Sequence, residues 1–172
     1  MSPRAAASAQ PPVSSGAAWL ALLVSIVVTG TAAAIAARSS VTSAVFYAQL
    51  DKPAWAPPPW LFGPVWSVLY LLMAVAAWRT WRAAGGAARG ALGLYAGQLV
   101  LNALWTWLFF ERHVGLWATA EVVALWAAIL ATVLAFRRHD RPAALMLAPY
   151  LAWVSFASAL TVSVWQRNPS LL

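Results

Sequence analysis

Four side chains with chemical character stand at regular intervals in one apolar run: Gln98, Asn102, Trp105 and Phe109. The steps i, i+4, i+7 and i+11 place them in one stripe on one face of a helix. A carboxamide pair in so apolar a run needs partners, so the stripe faces other helices or a cavity. Two readings stand side by side: interhelical hydrogen bonding, and the polar anchor of a ligand pocket. Glu121 is the one acid in the next apolar run, well inside it. An acid at such a depth suggests ligand or proton handling, with Gln98, Asn102 or Arg112 as partners; the alternative is a purely structural role. Trp117, Ala120, Glu121 and Ala124 are assigned to a common face. Pro149, Trp153, Phe156 and Leu160 form a third stripe, with Ala157 beside it. Small Ala120 and Ala157 among large rings leave room for something flat.

Other chemistries are excluded or disfavoured. The chain has no cysteine, so thiolate catalysis, disulfides and Cys-based metal sites are absent. His113 and His139 fall in loops predicted on opposite sides of the bilayer and cannot share a metal. No metal site is expected. No Ser/His/Asp triad, carboxylate pair or phosphate-binding glycine loop stands in a credible context, so no catalytic residue is assigned.

The elements that must position these side chains are membrane helices. Of 172 residues, 63% are hydrophobic and 9% charged, against about a quarter charged in soluble domains. Five apolar spans are predicted over 17–37, 61–78, 91–110, 114–136 and 142–166. Each is near the ~20 residues needed to cross a hydrocarbon core, and only helices satisfy their own backbone at that length. The fold class is therefore an all-α membrane protein, a bundle of five transmembrane helices. Residues 1–16 read as a disordered tail and 17–168 as the membrane domain. The first span has leader-like features, with Arg4 before it and Ala34-Ile35-Ala36 resembling a cleavage site. Its apolar run exceeds the usual leader core of about 7–15 residues, so it is read as a span. Pro149 should kink the last span.

The net charge of +7 does not indicate nucleic acid. The basic residues sit in short loops between spans, where they set topology. Seven (Arg4, Arg79, Arg82, Arg89, Arg137, Arg138, Arg141) fall on one side and four (Arg38, Lys52, Arg112, Arg167) on the other. The richer side is predicted cytoplasmic, which puts the N-terminus inside and the C-terminus outside. A bacterial inner or outer membrane is expected, and the cytoplasmic N-terminus applies to the inner one.

The loop over 38–60 ends in the most unusual stretch of the chain. From Lys52 to Trp66, five prolines and three tryptophans stand in fifteen residues. Proline fixes φ and removes backbone donors, so the stretch is stiff and neither regular helix nor central strand. It is either an interfacial connector or a lid over a flat, apolar ligand.

Three segments carry a resemblance: Phe46 to Tyr70 (FYAQLDKPAWAPPPWLFGPVWSVLY), Tyr95 to Phe110 (YAGQLVLNALWTWLFF) and Pro149 to Ala157 (PYLAWVSFA). They resemble, in order and spacing, the TspO/MBR family of tryptophan-rich sensory proteins, related to the mitochondrial translocator protein. The resemblance implies a five-helix bundle, usually a homodimer, with a pocket under the first loop. That pocket binds porphyrins, and in animal members cholesterol and synthetic ligands. Carried over by position, it would involve Tyr47, Trp66, Asn102, Trp117, Ala120, Trp153, Ala157 and Leu160, with Phe62, Gly63 and Val65 as a wall. Trp105 and Glu121 join them from the stripes. No obligatory cofactor is expected; protoporphyrin IX or haem enters as ligand, held between Trp66, Trp117 and Trp153. A sterol-recognition pattern needs a Tyr shortly before a basic residue, but Tyr150 is far from Arg167, which favours a tetrapyrrole over a sterol. Porphyrin binding with a sensory or regulatory role ranks first. Transport of porphyrin or sterol coupled through Glu121 ranks second, and light-dependent porphyrin breakdown third.

Overall fold

The computed structural model describes residues 15–42 and 44–172. Among these residues the chain is all helical. The helices are α1 (Ser15–Thr42), α2 (Ala44–Gln49), α3 (Phe62–Ala84), α4 (Arg89–Phe110), α5 (Gly115–Arg137), α6 (Arg141–Met146) and α7 (Ala148–Arg167). The tail expected over 1–16 lies outside the described residues except Ser15 and Gly16, which open α1. Length and hydropathy mark four segments as candidate membrane spans: Ser15–Ser39, Pro59–Phe110, Gly115–Arg137 and Arg141–Arg167. The second is 52 residues long and contains both α3 and α4.

The turn inside that long segment has a definite cause. Gly85 takes φ +50°, and its N–H caps the Trp81 carbonyl. A positive φ suits glycine, which ends helices in this way. A 3-10 turn over Gly85–Ala88 then leads into α4.

Two departures from the sequence reading concern helix ends. The loop expected over 38–60 contains the end of α1 and the short α2. The last span is two helices, broken at Leu147. Pro149 lacks the N–H that would bond the carbonyl of Leu145, and it sits in the first turn of α7, where that loss is tolerated. Asp140 starts α6: its carboxylate accepts from the Ala143 N–H at 3.1 Å and pairs with Arg79 at 3.1 Å. The cap thus ties the end of α3 to α6.

Around the bundle, α1 packs on α3 and α4, α4 on α5, α5 on α7 and α6, and α6 on α3. The main core joins Leu69, Met73, Tyr95, Leu99, Val122, Leu125, Ile129, Phe136, Tyr150 and Val154. Tyr95 also shares a 2.6 Å hydrogen bond with Thr29 of α1. The α4–α5 turn is tied to α1, where Ser39 Oγ donates to Glu111 Oε1 at 2.5 Å.

The chain end locks the loop. Asn168 Oδ1 accepts from the Asp51 N–H at 2.8 Å, and Asn168 Nδ2 donates to the carbonyls of Asp51 at 2.9 Å and Val164 at 2.7 Å. Lys52 Nζ caps α2 by donating to the carbonyls of Tyr47 at 2.9 Å and Leu50 at 2.8 Å.

Gly115 is the tightest point, since a Cβ there would overlap the Trp165 ring. Gly115→Ala should therefore lower stability by about 1–3 kcal/mol, as overpacking does. Gly30→Ala, where the added carbon meets open space, should not lower it; thermal unfolding in detergent compares the two. Asn168→Ala should speed hydrogen exchange at the Asp51 amide while leaving amides of α5 unchanged. Unaltered exchange at Asp51 would show that the loop is held by other contacts.

Candidate functional site

A cavity of about 640 Å³ opens beneath the Pro/Trp loop, between α1, α2, α3, α4 and α7. It falls within the ~300–1,000 Å³ range of small-molecule sites. Its floor is a hydrogen-bonded chain crossing three helices. Tyr70 Oη of α3 donates to Asn102 Oδ1 of α4 at 2.6 Å. Asn102 Nδ2 donates to Tyr150 Oη of α7 at 3.4 Å, and Tyr150 Oη donates to Gln98 Oε1 at 2.9 Å. Gln98, Asn102 and Tyr150 are each 1% exposed. The α4 stripe is therefore glue at Gln98 and cavity wall at Asn102, Trp105 and Phe109.

The walls are aromatic. Trp66 stacks on Tyr70 at 5.4 Å and 30°, and Trp105 on Phe109 at 5.5 Å and 17°. Phe62 meets the Trp153 ring edge-on at 5.8 Å. Tyr47 closes the mouth against Phe62 and Phe110, both at 6.1 Å, with the Lys52 ammonium 5.0 Å over its ring. Small residues make the space: Ala33, Ala36 and Ala37 of α1, Gly63 of α3 and Ala157 of α7. Pro59 contributes from the loop.

The buried polar groups left unpartnered at the cavity share one character. Tyr47 Oη, Trp105 Nε1 and Trp153 Nε1 are buried with no partner among the described residues. All three can donate, and burial raises the Tyr47 phenol above its ordinary pKa. Lys52 is the charged residue among those lining the space. The arrangement suits a flat apolar molecule carrying acceptor groups.

Of the residues assigned from the sequence, Tyr47, Phe62, Gly63, Trp66, Asn102, Trp105, Trp153, Ala157 and Leu160 line this cavity. Val65 lies on an outer groove between α3 and α7 instead. Trp117 is 66% exposed, Ala120 is also exposed, and neither lines the cavity. The reason is helical phase. Helix α5 buries Ala118, Glu121, Val122, Leu125 and Ile129, which turns Trp117, Ala120 and Ala124 outward. Glu121 is buried, but neither carboxylate oxygen has a partner among the described residues. It bonds neither Gln98 nor Asn102, whose oxygens accept from Tyr150 and Tyr70. Trp55 packs edge-on against Phe156 at 5.7 Å and Trp60 is 71% exposed.

Sequence reasoning passed over Tyr70, Phe110, Thr106 and the α1 alanines as lining residues. Alanine carries no chemical signal, although the 33, 36, 37 spacing is helical. Tyr70 stands one turn beyond Trp66, which could have found it.

Known proteins of similar sequence agree with one another. The pattern of the TspO/MBR family matches residues 20–166. The Translocator protein of Ovis aries is 43% identical over 127 residues, 72% of this chain and 75% of that protein. The Tryptophan-rich protein TspO of Chlorobaculum tepidum is 42% identical over 128 residues, 72% of this chain and 80% of that protein. Protein CrtK of Rhodobacter capsulatus is 40% identical over 140 residues, 77% of this chain and 88% of that protein. With its long apolar helices and this breadth of match, the chain belongs to the TspO/MBR family and is a multi-pass integral membrane protein.

Proposed function

We propose that the protein binds a porphyrin in the cavity under the Pro/Trp loop and acts as a membrane sensor or regulator of tetrapyrrole levels. The observation that carries this reading is the aromatic cavity itself: Trp66, Trp105, Trp153, Phe62 and Phe109 around about 640 Å³. Ring stacking and apolar burial supply the affinity. The donors at Tyr47, Trp105 and Trp153, with Lys52 at the mouth, suit carboxylate or carbonyl groups on the ligand rim. Names such as tryptophan-rich sensory protein, borne by a relative from Cereibacter sphaeroides, support a sensory role. Trp117 and Ala120 take no part in this version of the site.

The same reading includes five crossings, because the 52-residue segment folds back at Gly85 and each of its two helices exceeds 20 residues. Helix α1 supplies cavity wall, which supports its being a retained span. The basic bias supports a cytoplasmic N-terminus. A homodimer would use the outward face of α4, where Gly93 and Gly97 leave open space and permit close helix approach.

A second reading, proton-coupled translocation of the ligand, is favoured by Glu121. A buried, unpartnered acid in a membrane helix is a candidate proton carrier.

Titration of purified protein with protoporphyrin, haem and cholesterol, followed by tryptophan quenching, tests the first reading. The porphyrins should bind and cholesterol should not. Trp66→Ala should weaken porphyrin binding by about tenfold, the loss of one good aromatic contact. Ala157→Phe should weaken it further by filling the cavity, and exposed Trp117→Ala should leave it unchanged. Equal affinity in all variants would place the porphyrin elsewhere. For the second reading, porphyrin uptake into vesicles should lose its pH dependence in Glu121→Gln; an unaltered pH profile removes Glu121 from the mechanism.

A further inference from the structure

The indole of Trp153 has a cavity on each side. Inward, it lines the space under the loop. Outward, it lines a second hollow of about 640 Å³ on the surface of the bundle, between α3 and α7, with Val65, Val68, Ala152 and Phe156. That surface groove faces the surrounding hydrocarbon. Val68 is 58% exposed and Ala152 is exposed. One aromatic side chain thus separates the bilayer from the binding space.

The seam that Trp153 plugs is thinly held. Polar side chains of α3 reach α1 through Trp78 and Ala18, α4 through Tyr70 and Asn102, and the α6 cap through Arg79 and Asp140. Those of α7 reach α4 through Tyr150 and α5 through Ser155. Among the described residues, no hydrogen bond or ion pair joins α3 to α7, and their backbones make few close approaches. What closes the seam is ring contact: Phe62 with Trp153 at 5.8 Å, and Trp66 with Tyr150 at 6.0 Å. Tyr150 is held by its network, but Trp153 is not. Its Nε1 has no partner among the described residues, so a rotamer change breaks no hydrogen bond.

Depth fits the same role. Tyr150 bonds Asn102, which lies eight residues, about 12 Å, in from the end of α4 at Phe110. Trp153 is about 4.5 Å along α7 from Tyr150. Because α7 runs on toward the loop that Asn168 holds, the plug stands about 7.5 Å in from the level of Phe110, inside the apolar span Arg141–Arg167. Movement there exposes no backbone polar group, since both helices keep their own hydrogen bonds.

We propose that the α3–α7 seam is a lateral portal, with Trp153 as its gate, through which an apolar ligand dissolved in the bilayer reaches the cavity without crossing the Pro/Trp loop. The identity of that ligand rests on the porphyrin reading above; the route does not.

The test narrows the groove from outside. Val68→Trp fills the approach without touching the cavity, and lipid-facing Leu71→Trp, 60% exposed and off the groove, is the control. In bilayer nanodiscs, Val68→Trp should slow protoporphyrin association and dissociation together by about tenfold, a modest added barrier, with an unchanged dissociation constant. A second arm needs no porphyrin. The chain has no cysteine, so Ala157→Cys places a single thiol in the cavity. Its reaction with a membrane-dissolved pyrene maleimide should slow to the same degree when Val68→Trp is added, and Leu71→Trp should leave it unchanged. If Val68→Trp alters neither rate, or no more than Leu71→Trp does, entry is not through this seam. If protoporphyrin fails to bind the unsubstituted protein, the ligand reading falls while the thiol reaction still decides the route.

Discussion

Inside a bilayer, an amide without partners is costly, and Asn102 turns that cost into architecture. Its carbonyl accepts from Tyr70 on α3 and its amino group donates to Tyr150 on α7, while Tyr150 passes on to Gln98. Three helices are fixed at one level by a single buried side chain and its neighbours. Each such bond contributes about 0.6–2 kcal/mol in a membrane, less than the packing around it. What the network adds is position. Apolar helices in lipid have no strong preference for one rotation over another, and the Asn102 chain selects the one that turns Trp66 and Trp105 inward.

Above that fixed floor the bundle is less tightly bound. Toward α6, α3 is pinned by the Arg79–Asp140 pair and the capped start of α6. At its other end it meets α7 through ring and aliphatic packing, with no hydrogen bond or ion pair among the described residues. The loop over the cavity is fastened at its start by Asn168 and Lys52, so its prolines stiffen a segment that is already anchored where it begins. Rigidity is concentrated at the floor and the roof, and freedom at one side.

Much of this was legible from residue spacing. The α4 stripe was readable because polar residues recur with helical period in an otherwise apolar run, so Asn102 and Trp105 declared their face. Proline marked the loop and the break before α7. Helix α5 was not readable in the same way. It is apolar on every side, so Trp117 and Ala118 carry equal claims to the interior, and only packing shows that Ala118 and Glu121 face in. The three alanines of α1 were silent for a related reason: alanine is at home against lipid and against another helix alike. Tyr150 has its meaning only through partners on a different helix, Asn102 and Gln98, which no single-helix pattern contains.

The cavity owes its volume to side chains that stop at Cβ. Ala33, Ala36, Ala37, Ala48 and Ala157 border it from three directions, and the large rings merely frame what they leave open. A space defined by missing atoms can be reshaped one methyl group at a time, with no loss of the bonds that hold the helices. Ligand preference in such a protein can therefore drift by single alanine-to-valine or alanine-to-glycine changes while the scaffold stays constant, so the same bundle can be refitted to molecules of different outline.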